Sequence, residues 1–266
     1  MKTFRLSKTV AALGFCFLAC NAALAQIGSP VGPGLVRVFD GIRAFTARAD
    51  IQVLNAARKE TQRTPMNFAL LDGKLRVEVN VADTKSAAVT PAAIATYKQM
   101  GLDQIHCIIR PDQRLVHFVF PRIRSYVDVP MLATDVEITG KDARIQKAAA
   151  GKENAVGRVC GKNRFTVRSS KGAVLLDATT WTAPDLKDFP VQILVPDKEN
   201  MTILRFQQVQ LATPAATLFD PPAGFTRFAS VDALLNAVQT PKATLSNKPA
   251  APPPSASARK PAPQKH

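Results

Sequence analysis

The chain reads as mainly β, an α+β fold in which a strongly curved antiparallel sheet, or an incomplete barrel, carries one or two helices packed on it. Three observations lead there. Apolar residues recur with period two over short runs, the spacing that sends alternate side chains to opposite faces of a strand. Gly, Pro and Asp punctuate those runs at turn-forming positions. Residues 26–240 make up about 215 residues, enough for one domain with a substantial core.

Taken in order, Phe45, Ala47, Ala49, Ile51 and Val53 alternate with polar neighbours and predict the first strand. Runs 66–71 and 74–81 flank Asp72-Gly73, the dipeptide that best suits a tight hairpin because both residues tolerate positive φ. A short helix follows, with Thr90 as cap, Pro91 in the first turn and Gly101 closing the far end after Tyr97 and Met100. Runs 104–110 and 115–120 form a second hairpin around Pro111-Asp112-Gln113, and 122–127 continues extended. Runs 161–169 and 173–180 turn at Lys171-Gly172, and 191–195 with 201–211 make a fourth pair. Helix 231–239 closes the domain, capped by Ser230 and carrying Leu234, Leu235 and Val238 on one side. No repeat of 20 to 50 residues is present.

The two ends differ from this middle. Lys2, Arg5 and Lys8 precede the apolar run 10–19, and Ala23-Leu24-Ala25 before Gln26 has the small residues of a cleavage site, so 1–25 reads as a secretory signal peptide cut between Ala25 and Gln26. The run is shorter than the roughly 20 apolar residues needed to cross a bilayer. Acylation at Cys20 is the alternative, disfavoured by the bulky Leu18 at the processing position. Residues 241–266 hold seven prolines, five Lys or Arg and no acidic or aromatic residue, a composition expected to be a disordered basic tail.

An exported chain is expected in the periplasm, which changes the meaning of its cysteines. Of four, Cys107 and Cys160 remain after cleavage, and an even pair in an oxidising compartment suggests a disulfide. It would close a loop of 160 − 107 = 53 residues, an entropic gain of roughly 4 kcal/mol. Two buried free thiols are the alternative. The formal charge is +15, of which the signal contributes +3 and the tail +5, leaving +7 on the domain. Anionic head groups or envelope polymers, reached through the basic tail, fit that excess. Nucleic acid does not: aromatic residues are 6% of the chain and no basic, aromatic-interleaved surface is legible.

The chain has no Gly-x-Ser-x-Gly elbow and no His-Glu-x-x-His pair. His106 and His117 occupy the two arms of one hairpin but lack further ligands at suitable spacing, and read as strand residues. Gly157 to Lys162 has glycines one residue too close for a phosphate loop, and Asn163 stands where a hydroxyl must meet magnesium. Asp185 and Asp188 bracket a turn and suit turn chemistry better than acid–base work. Asn200-Met201-Thr202 is a chance sequon. No metal or cofactor is expected, and the chain reads as a non-enzyme. Lys162, Arg164 and Arg168 share one strand face, with Asn163, Phe165 and Val167 on the other, and are candidate contacts for anionic head groups or else a solvated face that blunts edge pairing. Tyr97, Met100 and Leu102 either line a lipid cavity or pack a core.

Several stretches, in order, carry a resemblance: Asp72-Gly-Lys-Leu-Arg-Val-Glu78, Ile109-Arg-Pro-Asp112, Pro121-Arg-Ile-Arg-Ser-Tyr126, Gly151-Lys-Glu-Asn-Ala-Val-Gly157-Arg-Val-Cys160, Phe165-Thr-Val-Arg168, Trp181-Thr-Ala-Pro-Asp-Leu-Lys-Asp-Phe-Pro190 and Leu218-Phe-Asp-Pro-Pro-Ala-Gly-Phe225. From Ala44 to Leu235 the chain resembles an uncharacterised secreted bacterial family related to the Lol-type periplasmic lipoprotein carriers. The resemblance implies an incomplete antiparallel barrel closed on one side by helices, with an apolar hollow for acyl chains. It picks no counterpart of the carriers' latching arginine among Arg37, Arg43, Arg48, Arg76 and Arg110. The expected function is a carrier that shields a lipid or the acyl chains of a lipoprotein in the concave face of the sheet. The alternative is a structural envelope module with a filled core, tethered by its basic tail.

Overall fold

The computed structural model describes residues 32–197 and 199–239. The signal segment with Ala25, Gln26 and Cys20, and the tail 241–266, lie outside the described residues.

Thirteen strands form one sheet. β1 (Ala44–Asn55), β2 (Glu60–Leu71) and β3 (Lys74–Asn80) are a meander, with the two-residue β4 (Lys85–Ser86) hung on β2. β5 (Gln104–Arg110), β6 (Leu115–Phe120) and β7 (Ser125–Pro130) extend it to one side. β8 (Arg144–Ala155), β9 (Arg158–Arg168), β10 (Val174–Ala183), β11 (Phe189–Asp197) and β12 (Asn200–Gln210) form a second meander that rejoins the first through β1 and β12. β13 (Thr226–Phe228) pairs parallel with β7, every other pairing being antiparallel. The order β13-β7-β6-β5-β3-β2-β1-β12-β11-β10-β9-β8 leaves β13 and β8 at opposite ends, so the sheet is open.

Turn chemistry accounts for the hairpins. Asp72 and Gly73 adopt φ of 47° and 79°, as a tight turn between β2 and β3 demands. Gly101, at φ 70°, ends the helix α1 (Pro91–Met100), whose cap is Thr90 accepting from the Ala93 amide. Two further helices follow, α2 (Ala133–Thr139) and α3 (Val231–Gln239). α2, unanticipated from the sequence, starts at Leu132 without a side-chain cap, which removes the local signal. Of the expected extended run 122–127, residues 122 and 123 instead belong to a 3-10 turn (Pro121–Ile123), because Pro121 favours φ near −65° and Arg124 then takes φ 48°, while 125–127 are strand.

Alternation sorts the faces. Phe45, Ala47, Ala49 and Ile51 of β1 share a side with Phe68 and Leu70 of β2, Leu75 and Val77 of β3, and Leu204 and Phe206 of β12. One continuous apolar cluster on that side joins β7, at one end, to β9, near the other, which requires the sheet to curl around it. The concave face is covered by α1, α2, α3 and a seven-residue 3-10 helix, Pro33–Phe39. The convex face is more polar, with Trp181 and Ile203 buried on it and a small cluster of Ala69, Ile108, Val119 and Phe219 beneath the segment that follows β12.

The expected disulfide is corrected: Cys107 and Cys160 are both free and buried. Cys107 lies on β5 and Cys160 on β9, with β3, β2, β1, β12, β11 and β10 between them in the sheet, whereas a bridge needs Cα atoms within about 7 Å. Burial pushes the Cys107 thiol up to about 12, and burial also raises that of Cys160.

Candidate functional site

The centre of the concave face is an aromatic cluster. The Phe39 ring lies 4.8 Å from Phe45, 5.7 Å from Phe206 and 5.8 Å from Phe189, centroid to centroid, and Phe68 stacks edge-on to Phe206 at 5.2 Å. Four of these rings belong to the sheet. Phe39 does not: it belongs to the 3-10 helix, which also inserts Leu35 and Val38, and these three are 1%, 2% and 4% exposed. The hollow of the sheet is therefore filled in part by a plug from a separate segment. Seven residues is long for a 3-10 helix, whose hydrogen bonds are poorer than those of an α-helix. Gly41, at φ 88° with open space around it, joins the plug to β1.

Clefts flank the plug on both sides. One, about 350 Å³, is bounded by Arg37, Arg43, Asp72 and Asp112 near the β2–β3 and β5–β6 turns. Its arginines are engaged: Arg43 pairs with Asp72 at 3.2 Å, and Arg37 with Asp40 at 3.7 Å while donating to the Ala143 carbonyl. The other, about 230 Å³, has Val38 and Phe165 within it and Lys147, Asn163, Thr182 and Lys187 around it. At the far end of the sheet α1 lies loosely, with Tyr97 and Met100 half-buried against the core and Leu102 fully buried beyond it.

The strand face proposed for head groups lies on the convex side, and each of its cations has a partner. Lys162 pairs with Glu153 at 2.7 Å and sits 5.3 Å from the Trp181 ring centroid. Arg164 grips both carboxylate oxygens of Asp177, at 3.1 and 2.8 Å, holding that carboxyl below the usual range. Arg168 donates to Gln146 Oε1 and the Gly172 carbonyl. Cross-strand neighbours on β8 and β10 supply most of these partners, and one strand's sequence does not reveal them.

The two hairpin histidines also point to the convex face, with separate partners. His106 Nδ1 accepts from Arg76 at 2.6 Å, which makes it the unprotonated nitrogen, and its pKa is lowered by burial and by that guanidinium. His117 Nδ1 lies 2.6 Å from Asp128, whose other oxygen meets Arg227 at 2.7 Å. No group of three or more His, Cys, Asp or Glu able to hold a metal occurs among the described residues. Asp185 is paired with Arg158, and Lys187 and Asp188 take φ of 55° and 57° in the turn.

Two of the candidate latch arginines do a different job. Buried Arg76 and Arg110 donate to the carbonyls of Leu218 and Phe219, at 2.9 and 3.0 Å, pinning the segment between β12 and β13 across the convex face. Asp112 and Asp220 neutralise Arg110, and Glu78 neutralises Arg76. Arg48 is exposed.

Fold and site together define a class, an open antiparallel sheet curled around an apolar hollow with helices across its mouth. No protein-family model matches the chain, and no curated protein matches it either. Among solved structures, it is similar to a LolA superfamily protein from Nitrosomonas europaea (10% identity, TM-score 0.35, covering 67% of this chain and 90% of that one). It is also similar to lipoprotein LppX of Mycobacterium tuberculosis (12%, 0.37, 73% and 98%) and to Pseudomonas aeruginosa MucB, solved in complex with MucA (12%, 0.36, 71% and 60%). Among the described residues no helix is long and apolar enough to cross a membrane.

Proposed function

We propose that the chain is a non-enzymatic periplasmic binding protein that shields an acyl chain, of a lipid or of an acylated protein, in the concave face of its sheet. One observation carries the reading: Leu35, Val38 and Phe39 fill the hollow from a short 3-10 helix outside the sheet, so that part of the filling can leave while every strand pairing stays. The magnitudes permit an exchange. Burying three such side chains is worth about 5–9 kcal/mol, and burying a chain of roughly sixteen carbons on the order of 10 kcal/mol before ordering costs. The sequence resemblance to lipoprotein carriers selects the acyl chain as the occupant.

Mass spectrometry of the gently purified mature protein tests this. Co-purified lipid is expected, with fatty acid rebinding after delipidation. Absence of lipid, together with failure of Phe39→Ala to take up fatty acid, would overturn the reading.

The edge-to-face phenylalanines favour a second reading, a structural envelope module whose packed hollow binds nothing and whose basic tail tethers it to wall polymers or a membrane surface. Removal of residues 241–266 separates the two: the tether predicts loss of envelope association, the carrier predicts retained lipid binding.

A further inference from the structure

We propose that the cleft between the plug and β9–β10 is an anion site, and that it takes the negatively charged end of the bound molecule, a carboxylate or a phosphate. The inference rests on the acyl-binding reading for its connection to the hollow, but the site itself stands on its own geometry. The cleft of about 230 Å³ reaches from Val38 and Phe165, both in the apolar core, to a polar rim of Lys147, Lys187, Asn163 and Thr182. That sequence of surfaces suits an amphiphile with its tail inward and its head at the rim.

The charges separate this cleft from its surroundings. On the convex side of the same β8–β9–β10 region, Lys162 and Arg164 are neutralised by Glu153 and Asp177. In the cleft on the other side of the plug, Arg37 and Arg43 are neutralised by Asp40 and Asp72. Among the described residues, no carboxylate pairs with Lys147 or Lys187. Lys147 instead is exposed, with its ammonium 5.8 Å from the ring centroid of buried Phe165. Asn163 contributes an amide beside it, bonded to the Gly161 carbonyl and to Thr182. Two carboxylates line the same cleft: Asp40, already held by Arg37, and Asp188, exposed in the β10–β11 turn. Asp188 opposes an anion, and its removal should therefore strengthen binding.

Palmitate, hexadecanol and inorganic phosphate serve as probes on the delipidated mature protein. Palmitate is expected to bind about tenfold tighter than hexadecanol, the yield of two partly exposed ion pairs. In Lys147→Gln/Lys187→Gln that preference disappears while hexadecanol affinity is unchanged, and Asp188→Asn widens it. Equal binding of acid and alcohol by the unaltered protein overturns the anion site and leaves the acyl reading standing. If neither amphiphile binds, the acyl reading falls. Titration with phosphate alone, followed at the Asn163 amide resonance, then decides the site: a saturable shift lost in the double variant upholds it as a site for free phosphate, and no shift overturns it.

Discussion

His106 is a half-buried base held against a cation. Arg76 donates to its Nδ1, so protonation would set two positive charges against each other beneath the convex segment. Its pKa is lower folded than unfolded, and the unfolded value lies near 6.5. The unfolded chain therefore takes up the proton first as pH falls, and the contribution to stability is full above about pH 6.5 and is lost as pH drops from there through the folded value. Denaturant midpoints measured from pH 7.5 down to 5 should decline, and His106→Gln should flatten that decline; an unchanged slope in the variant would assign it elsewhere. The cysteines give a second residue-scale expectation. The thiols of Cys107 and Cys160 are free, and burial keeps them protonated. Alkylation in denaturant of protein that starts at Gln26 should add two labels, native protein should label slowly, and a reducing agent should leave the melting temperature unchanged. Cys107 and Cys160 were legible as a candidate pair, but their separation depends on the order in which strands join the sheet.

At the scale of elements, what was legible follows from how local each signal is. Asp72-Gly73 and Thr90-Pro91 with Gly101 specify their turn and helix from adjacent residues, and the structure places them as read. β8 was missed because Ala148, Ala149, Ala150 and Gly151 carry no alternation, and nearly the whole strand is exposed at the sheet's edge. The plug was missed for another reason: Pro33-Gly34 reads as loop, and only tertiary packing makes Leu35, Val38 and Phe39 core. Of the candidate site, the alternation that separates Lys162, Arg164 and Arg168 from Asn163 and Phe165 was readable, but their carboxylate partners come from other strands. Close packing at Gly101 gives a clean test of an element boundary. A Cβ there would meet Ile123 Cγ2 at 2.7 Å, and φ is 70°. Gly101→Ala should destabilise the domain by about 1–3 kcal/mol in urea unfolding; a neutral result would mean that the α1 terminus relaxes freely.

For the whole molecule, the question is whether the curved sheet and its filling form one cooperative unit. Strand pairing runs unbroken from β13 to β8, and the Phe45, Phe68, Phe189 and Phe206 rings tie both limbs together whether or not Phe39 is present. The plug has no strand partner, and Arg37 is bonded to the Ala143 carbonyl just beyond α2, itself a short helix. Local opening free energies are lower where few backbone hydrogen bonds tie a segment to its neighbours, even when its side chains are buried. Amide exchange should therefore find 33–39 opening before β1, β5 or β12, and bound palmitate should raise its exchange further while slowing that of β9 and β10. Truncating Phe39 to Ala removes a fully buried ring and should cost about 3–5 kcal/mol of stability in the empty protein. If the hollow is a binding site, saturating palmitate should restore much of that loss, by RT ln(1 + [L]/Kd). If the hollow is only a core, the variant stays destabilised at every palmitate concentration, and plug and sheet exchange together.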